Sequence, residues 1–252
     1  MIFVLVPAAG AGTRMQAVSE GQRKQYRMLG GQTILDRTLM RLASFAAVDL
    51  IVCIVPADDM PPPIATKKDR LGLRSAEIHY VAGGESRTES VRNGLRYLRE
   101  RFPAQAEDLV AIHDGVRPFV SETLFARLLD VAREQGAAIP FLPITDTIKA
   151  VGTDGRMKAH LDRSEMVAVQ TPQIFARSLI EEAYAKADAE ARAESRENKK
   201  VRDRHEMQIT DDSSLLPAES LRLVPGEKQN IKITTMEDLR YAEFLISLEG
   251  SI

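Results

Sequence analysis

The chain opens on an apolar run, Ile2–Val6, and runs of similar length recur at Leu50–Val55, Ile78–Val81, Leu109–His113 and Ala137–Leu142. Each is as long as a strand, and near-continuous apolarity is what burial on both faces demands. Between them the period is helical. Ile34, Leu35, Thr38, Leu39 and Leu42 fall on one face of a helix predicted over about Thr33 to Ser44, and Val91, Leu95 and Leu98 do so within Ser86 to Arg101. Ser121 is a good N-cap for a helix through Leu128 to Arg133. This alternation predicts an α/β protein with a Rossmann-like, mostly parallel central sheet flanked by helices.

Beyond Pro143 the alternation stops. Residues 144–170 read as short, polar, β-prone pieces around a turn at Thr153-Asp154-Gly155, the pattern of a protruding β-arm. Residues 186–206 interleave seven basic with six acidic side chains, which predicts a solvated helix or loop. Leu221–Val224 and Ile231–Thr234 are again strand-like, and Met236-Glu237-Asp238-Leu239 opens a last helix with acids in its first turn. With no internal repeat and no low-complexity linker, the 252 residues read as a single domain with an inserted arm at about 144–170.

Composition narrows the function. Apolar residues at 44% and charged ones at 28% are globular values, and 34 basic against 36 acidic residues leave a charge of −2, which gives no hint of a nucleic-acid partner. No basic stretch precedes the first apolar run, and no run approaches the ~20 residues of a membrane span, so a cytoplasmic protein with no membrane partner is expected. The single cysteine, Cys53, lies inside an apolar run and is expected to be buried.

The candidate chemistry begins after the first strand, in Val6-Pro7-Ala8-Ala9-Gly10-Ala11-Gly12-Thr13-Arg14-Met15. Small residues here serve either a tight turn or a cradle whose backbone N–H groups converge on phosphate. A dinucleotide fingerprint would need a third glycine where Met15 stands, and no Gly-Lys-Ser/Thr of a Walker loop follows. Arg14 within the loop and Lys24 ten residues later suggest a clamp for a triphosphate. Asp114 ends an apolar strand, where open α/β sheets bind ligands, and reads either as a turn carboxylate or as a hard oxygen ligand for Mg²⁺. No Ser-His-Asp or Cys-His pattern points to a covalent nucleophile, and His113 reads as packed rather than catalytic.

Pro7-Ala8-Ala9-Gly10-x-Gly12-x-Arg14-Met15 followed by Lys24-Gln25-Tyr26 resembles the nucleotide loop of sugar- and polyol-phosphate nucleotidyltransferases, and most closely the 2-C-methyl-D-erythritol 4-phosphate cytidylyltransferase family. Gly83-Gly84-x-x-Arg87, His113-Asp114-Gly115-Val116-Arg117-Pro118, Asp146-Thr147-Ile148-Lys149, Gln170-Thr171-Pro172-Gln173 and Asn230-Ile231-Lys232-Ile233-Thr234 follow in the family's order. The resemblance implies a nucleotidyltransferase fold and attack of a polyol phosphate on the α-phosphorus of CTP. It assigns catalysis to Arg14 and Lys24, and CTP binding to Pro7, Ala8, Ala9, Gly10, Gly12, Gly84, Glu85, Ser90, Asp114 and Gly115. Asp114 would also hold Mg²⁺, Arg87 would brace its loop, and Thr147, Arg163 and Lys232 would position the polyol phosphate. It further implies a homodimer whose exchanged arms carry Arg163 into the partner's site. Pro225 stands where the family usually has Glu, and residues 186–206 look longer than in compact members. Ribitol-5-phosphate cytidylyltransferases share much of the pattern, although they tend to lack the counterpart of Lys149. A non-catalytic nucleotide-binding module is the alternative of another class.

Overall fold

The computed structural model describes residues 1–10, 23–60, 76–195 and 211–249. Its framework is an eight-stranded sheet. Strand β1 (Ile2–Pro7) lies at the centre, parallel to β4 (Leu50–Val55) on one side and β6 (Leu109–Ile112) on the other. Strand β5 (Glu77–Ala82) extends the sheet beyond β4. The short β2 (Met28–Leu29) and β3 (Gln32–Thr33) pair with each other apart from this sheet.

Burial on both faces explains the unbroken apolar runs. In β1, Val4 and Val6 face a layer formed by α1 (Ile34–Ala43) and α3 (Glu122–Gln135), through Leu35, Leu39, Leu42, Leu124, Phe125 and Leu128. Phe3 and Leu5 face the opposite layer, where α2 (Arg87–Arg101) contributes Val91, Leu95 and Leu98, and α4 (Arg177–Ser195) contributes Ile180 and Tyr184. Thr33, Ser86 and Ser121 each accept from a backbone N–H three residues on, fixing the starts of α1, α2 and α3. Cys53 is buried among the β-sheet side chains of the first layer.

The far side of the sheet departs from simple alternation. After β7 (Ala137–Pro143), the hairpin β8 (Lys149–Val151) and β9 (Met157–His160) stands in the stretch expected to be an arm, and every residue of β9 is exposed. The chain returns as β10 (Val167–Val169) and β11 (Gln173–Ala176), both antiparallel to β7. Val169 pairs with Phe141 and Ile174 with Ala138, so five steps on one strand face three on the other. Residues 170–172 absorb the difference as a two-residue bulge. Pro140, which has no N–H to give to a ladder, lies on β7 opposite the bulge and accepts the Gln170 N–H at 2.7 Å. Strand β12 (Arg222–Pro225) runs parallel along β7. Pro225, the departure from the family pattern, closes that strand, and the next N–H, that of Gly226, still bonds Phe141 O at 2.7 Å.

One expectation fails. Residues Ile231–Thr234 do not form a strand; Ile233 N–H bonds Val116 O at 2.9 Å, and Thr234 bonds the Asp238 carboxylate of the last helix. The segment passes a turn after β6 rather than a strand, so there is no ladder to join. Its apolar alternation comes instead from packing Ile231 and Ile233 into a satellite cluster under the last helix, α5 (Met236–Glu249), with Leu29, Ile34, Val116 and Leu245. Of the charged stretch 186–206, residues through 195 complete α4 and the rest lie outside the described residues.

Candidate active site

A cleft opens where β1 and β6 end, lined by Pro7, Ala8, Ala9, Gly10, Lys24, Gln25, Arg87, Ser90, Asp114, Gly115, Val116 and Lys232. It therefore gathers most of the residues singled out from sequence. Gly12 and Arg14 lie outside the described residues.

The glycine run is held from behind by Gln25, whose buried amide donates to Ala8 O at 2.7 Å. Gln25 sits in the 3-10 turn Lys24–Tyr26, so the bond that fixes the run also fixes its neighbour Lys24 at the cleft. Across the cleft, Gly83 lies so close that a Cβ on it would stand 2.3 Å from Ala9 Cβ; only glycine permits that approach. Gly84 N–H donates to Ser90 Oγ at 3.2 Å, joining the loop after β5 to the start of α2. Glu85 is exposed, with its N–H on Glu89 Oε2 at 2.7 Å.

Asp114 is the electrostatic centre. Its carboxylate is nearly enclosed, with Lys232 Nζ at 2.9 Å and Arg117 Nε at 3.2 Å from Oδ2, and Arg87 Nε at 3.6 Å from Oδ1. Burial alone would raise its pKa, but Lys232, Arg87 and Arg117 outweigh that and hold it well below the usual carboxylate range. Lys232 is brought here from the far end of the chain because Ile233 is buried beside it and bonded to Val116, which leaves the lysine to face the opposite way. Its side chain keeps 40% exposure, so it is the cation most able to turn from Asp114 to an incoming phosphate. Arg87 also pairs with the buried Asp212 at 2.7 Å. Burial disfavours its charge, but Asp212 and then Asp114 raise its pKa above the ordinary arginine value.

The turn that presents Asp114 is locked by a closed set of bonds. Asp114 N–H donates to Thr171 Oγ1 at 3.0 Å, and His113 Nε2 lies 3.0 Å from Arg117 O. A carbonyl only accepts, so Nε2 carries the proton, and Nδ1 accepts from the Thr171 hydroxyl at 3.2 Å. Asn230 extends the set, donating from Nδ2 to Thr171 O at 2.8 Å while its own carbonyl receives Arg117 Nη1 at 2.8 Å. Thr171 and Asn230 stand in quoted motifs with no role of their own, and Asp212 stands in Thr210-Asp211-Asp212, a pair that resembles the family's and reads as a structural N-cap. Asp211 does cap the turn that follows, accepting from Ser214 N–H at 3.2 Å, whereas Asp212 faces Arg87.

His113 is fully buried, and that burial, opposed in part by its bond to Arg117 O, lowers its pKa from 6.5 to about 4. The unfolded chain thus binds a proton that the folded one refuses between these values. Stability from this residue is complete above about pH 6.5 and is expected to fall as pH drops to about 4, by on the order of 3 kcal/mol. Thermal melts across that window should show the loss, and His113→Gln should flatten it. An equal slope in both proteins would contradict the assignment.

Thr147 and Arg163 are not among the residues lining this cleft. Both lie on the exposed arm, where Arg163 Nη1 donates to Thr145 O at 2.6 Å.

A family model described as 2-C-methyl-D-erythritol 4-phosphate cytidylyltransferase matches residues 2–248. A protein of that name from Syntrophus aciditrophicus is 40% identical, covering 100% of this chain and 98% of its own length. One from Geobacter metallireducens is 38% identical over 97% of each. Among solved structures, the 4-diphosphocytidyl-2C-methyl-D-erythritol synthase of Anaerococcus prevotii aligns with a TM-score of 0.73 and 31% identity over 98% of this chain and 96% of that one. The cytidylyltransferase of Thermus thermophilus aligns at 0.68, with 32% identity over 96% and 97%.

Proposed function

Because the chain belongs to the 2-C-methyl-D-erythritol 4-phosphate cytidylyltransferase family, whose members transfer the cytidylyl group of CTP to that alcohol phosphate for isoprenoid synthesis, we propose that this cleft carries the transfer. A phosphate oxygen of the acceptor bonds to the α-phosphorus of CTP, the bond from α-phosphorus to the bridging oxygen breaks, and pyrophosphate leaves. The products are 4-diphosphocytidyl-2-C-methyl-D-erythritol and pyrophosphate. The observation that carries this assignment is the convergence of Lys24, Arg87 and Lys232 on one cleft floored by the Ala8–Gly10 run.

Two anions must meet for the bond to form, so neutralisation and positioning are the main work of the protein. Lys24, with Arg14, is assigned to the charge growing on the α-phosphate and on the leaving pyrophosphate. Pro7, Ala8, Ala9, Gly10 and Gly12 cradle the triphosphate, and Gly84, Glu85, Ser90 and Gly115 hold the nucleoside end. Lys232 turns to the acceptor phosphate. Substrate phosphate is already a competent nucleophile, which leaves the neutral His113 no proton to remove.

Mg²⁺ fits Asp114. No group of three or more His, Cys, Asp or Glu side chains suited to a metal occurs among the described residues. A single carboxylate completed by substrate phosphates is an ordinary way to bind this ion. When bound there it supplies charge neutralisation for the triphosphate.

Arg163 reaches a site only through a second copy. The arm carries exposed Val151 (62%) and Met157 (56%), apolar side chains suited to covering by a partner arm. The protein is proposed to be a homodimer of single-domain chains, with the arm of residues 144–170, which also holds the substrate-positioning Thr147, passing Arg163 across the twofold. Light scattering should give twice 27.9 kDa. Val151→Asp with Met157→Asp should give monomers with turnover reduced about 100-fold, the order of a lost transition-state contact. A fully active monomer would remove Arg163 from the site.

No described helix is long and apolar enough to cross a membrane. The cytoplasm is the proposed compartment, since CTP is supplied there. Incubation with CTP, Mg²⁺ and either methylerythritol phosphate or ribitol phosphate tests the whole reading: pyrophosphate is expected with the first, and release only with the second would overturn the substrate.

A further inference from the structure

We propose that Asp212 is a positioning residue that keeps Asp114 open to a divalent cation, by holding the Arg87 guanidinium to itself. This rests on the reading of Asp114 as the Mg²⁺ ligand. Asp212 is completely buried at the start of the 3-10 turn Asp212–Leu215. Its Oδ2 lies 2.7 Å from Arg87 Nη2 as an ion pair without the alignment of a hydrogen bond, and its Oδ1 accepts the Tyr184 hydroxyl of α4 at 2.6 Å. Burial and the Asp212 charge raise the Tyr184 pKa well above its ordinary value, so the hydroxyl stays a donor.

Arg87 therefore leans away from Asp114. Its Nε stands 3.6 Å from Asp114 Oδ1, beyond hydrogen-bond length, and its Nη1 is buried without a hydrogen-bond partner. The guanidinium thus has donors to spare for a two-bond fork on Asp114, the geometry arginine and carboxylate favour, yet it is turned toward Asp212. This matters because Oδ2 already faces Arg117 and Lys232. A closed fork from Arg87 would draw on Oδ1 as well and leave Asp114 little lone-pair capacity for a metal ion. Asp212 also offsets one positive charge beside Asp114, which lowers the repulsion an incoming cation meets.

The test uses Mn²⁺ with a CTP analogue whose α,β-bridging oxygen is replaced by methylene, so that no reaction follows. Free Mn²⁺ is counted by its paramagnetic resonance, with the analogue alone as reference. Asp212→Asn should bind Mn²⁺ about tenfold more weakly than the wild type, the scale of coupling between adjoining sites. Adding Arg87→Lys should restore binding, because lysine cannot form the fork. Wild-type protein that holds no Mn²⁺ beyond the analogue's own overturns the metal assignment and this inference together. Equal binding by wild type and Asp212→Asn overturns the inference alone, and so does a loss that Arg87→Lys fails to restore. If Asp212→Asn does not fold, Tyr184→Phe reads the same property: binding weakened about threefold supports the proposal, and unchanged binding overturns it.

Discussion

Replacing Lys24 with alanine is expected to lower kcat by about 10²- to 10³-fold, the loss typical when a preorganised positive donor is removed from developing transition-state charge. The side chain lines the cleft beside the Ala8–Gly10 run, and charge on the leaving pyrophosphate grows as the α,β bond breaks. That charge is greater in the transition state than in bound CTP, so kcat should suffer more than KM for CTP. The fold should persist, because the bond tying this turn to the glycine run belongs to Gln25. Steady-state pyrophosphate release against CTP concentration measures both constants. Turnover within about twofold of the wild type would remove Lys24 from the mechanism.

Asp114→Asn combines two effects. Activity is expected to fall at least about 100-fold, with no rescue by excess Mg²⁺, because the carboxylate proposed as the metal ligand is gone. Stability is expected to fall by about 3 kcal/mol in urea titrations near neutral pH, since Arg117 loses its buried counter-charge. Lys232 limits this cost, being exposed enough to return to solvent. The two proteins should converge in acid. The native carboxyl is held below its unfolded value, so its contribution is present above about pH 4 and is lost as pH falls through the folded value. A stability difference unchanged by acid would show that Asp114 is held by shape rather than charge.

The sheet was legible because its central strands are buried on both faces, which forces apolar side chains at consecutive positions from Phe3 to Val6 and from Leu50 to Val55. Serine and threonine caps marked the helix starts for a local reason, a side chain bonding its own backbone three residues on. The missed features are long-range. Gln173–Ala176 offers only Ile174 and Phe175 as a strand signal, and its place between β6 and β7 depends on partners distant in sequence. Ile231–Thr234 alternates like a strand because one side packs under α5, and periodicity cannot tell packing from pairing. At the site, Asp114 stood out by its place at a strand's end, whereas Lys232 came only from the family resemblance. Arg87 was read as a loop brace, whereas it joins two carboxylates 98 positions apart in sequence, Asp114 and Asp212. Thr171 stands in the Gln170-Thr171-Pro172-Gln173 motif with no role of its own, because that role depends on contacts with His113 and Asp114, 58 and 57 positions away.

The bulge at residues 170–172 bears on which changes of length this edge can tolerate. Side chains alternate along a strand with period two, so an even number of extra residues leaves the flanks on their original faces, and an odd number turns one flank over. The two surplus residues here let the chain step out to bring Thr171 beneath Asp114, while Ile174 and Phe175 still meet their own layers. Removing one residue would invert either the base of the arm or the strand beside β6. Removing two would preserve both faces and erase the step. The contact to Asp114 is thus protected by parity: a single-residue slip disturbs packing along a whole strand, and the mildest deletion the sheet accepts is the one that costs the site its threonine.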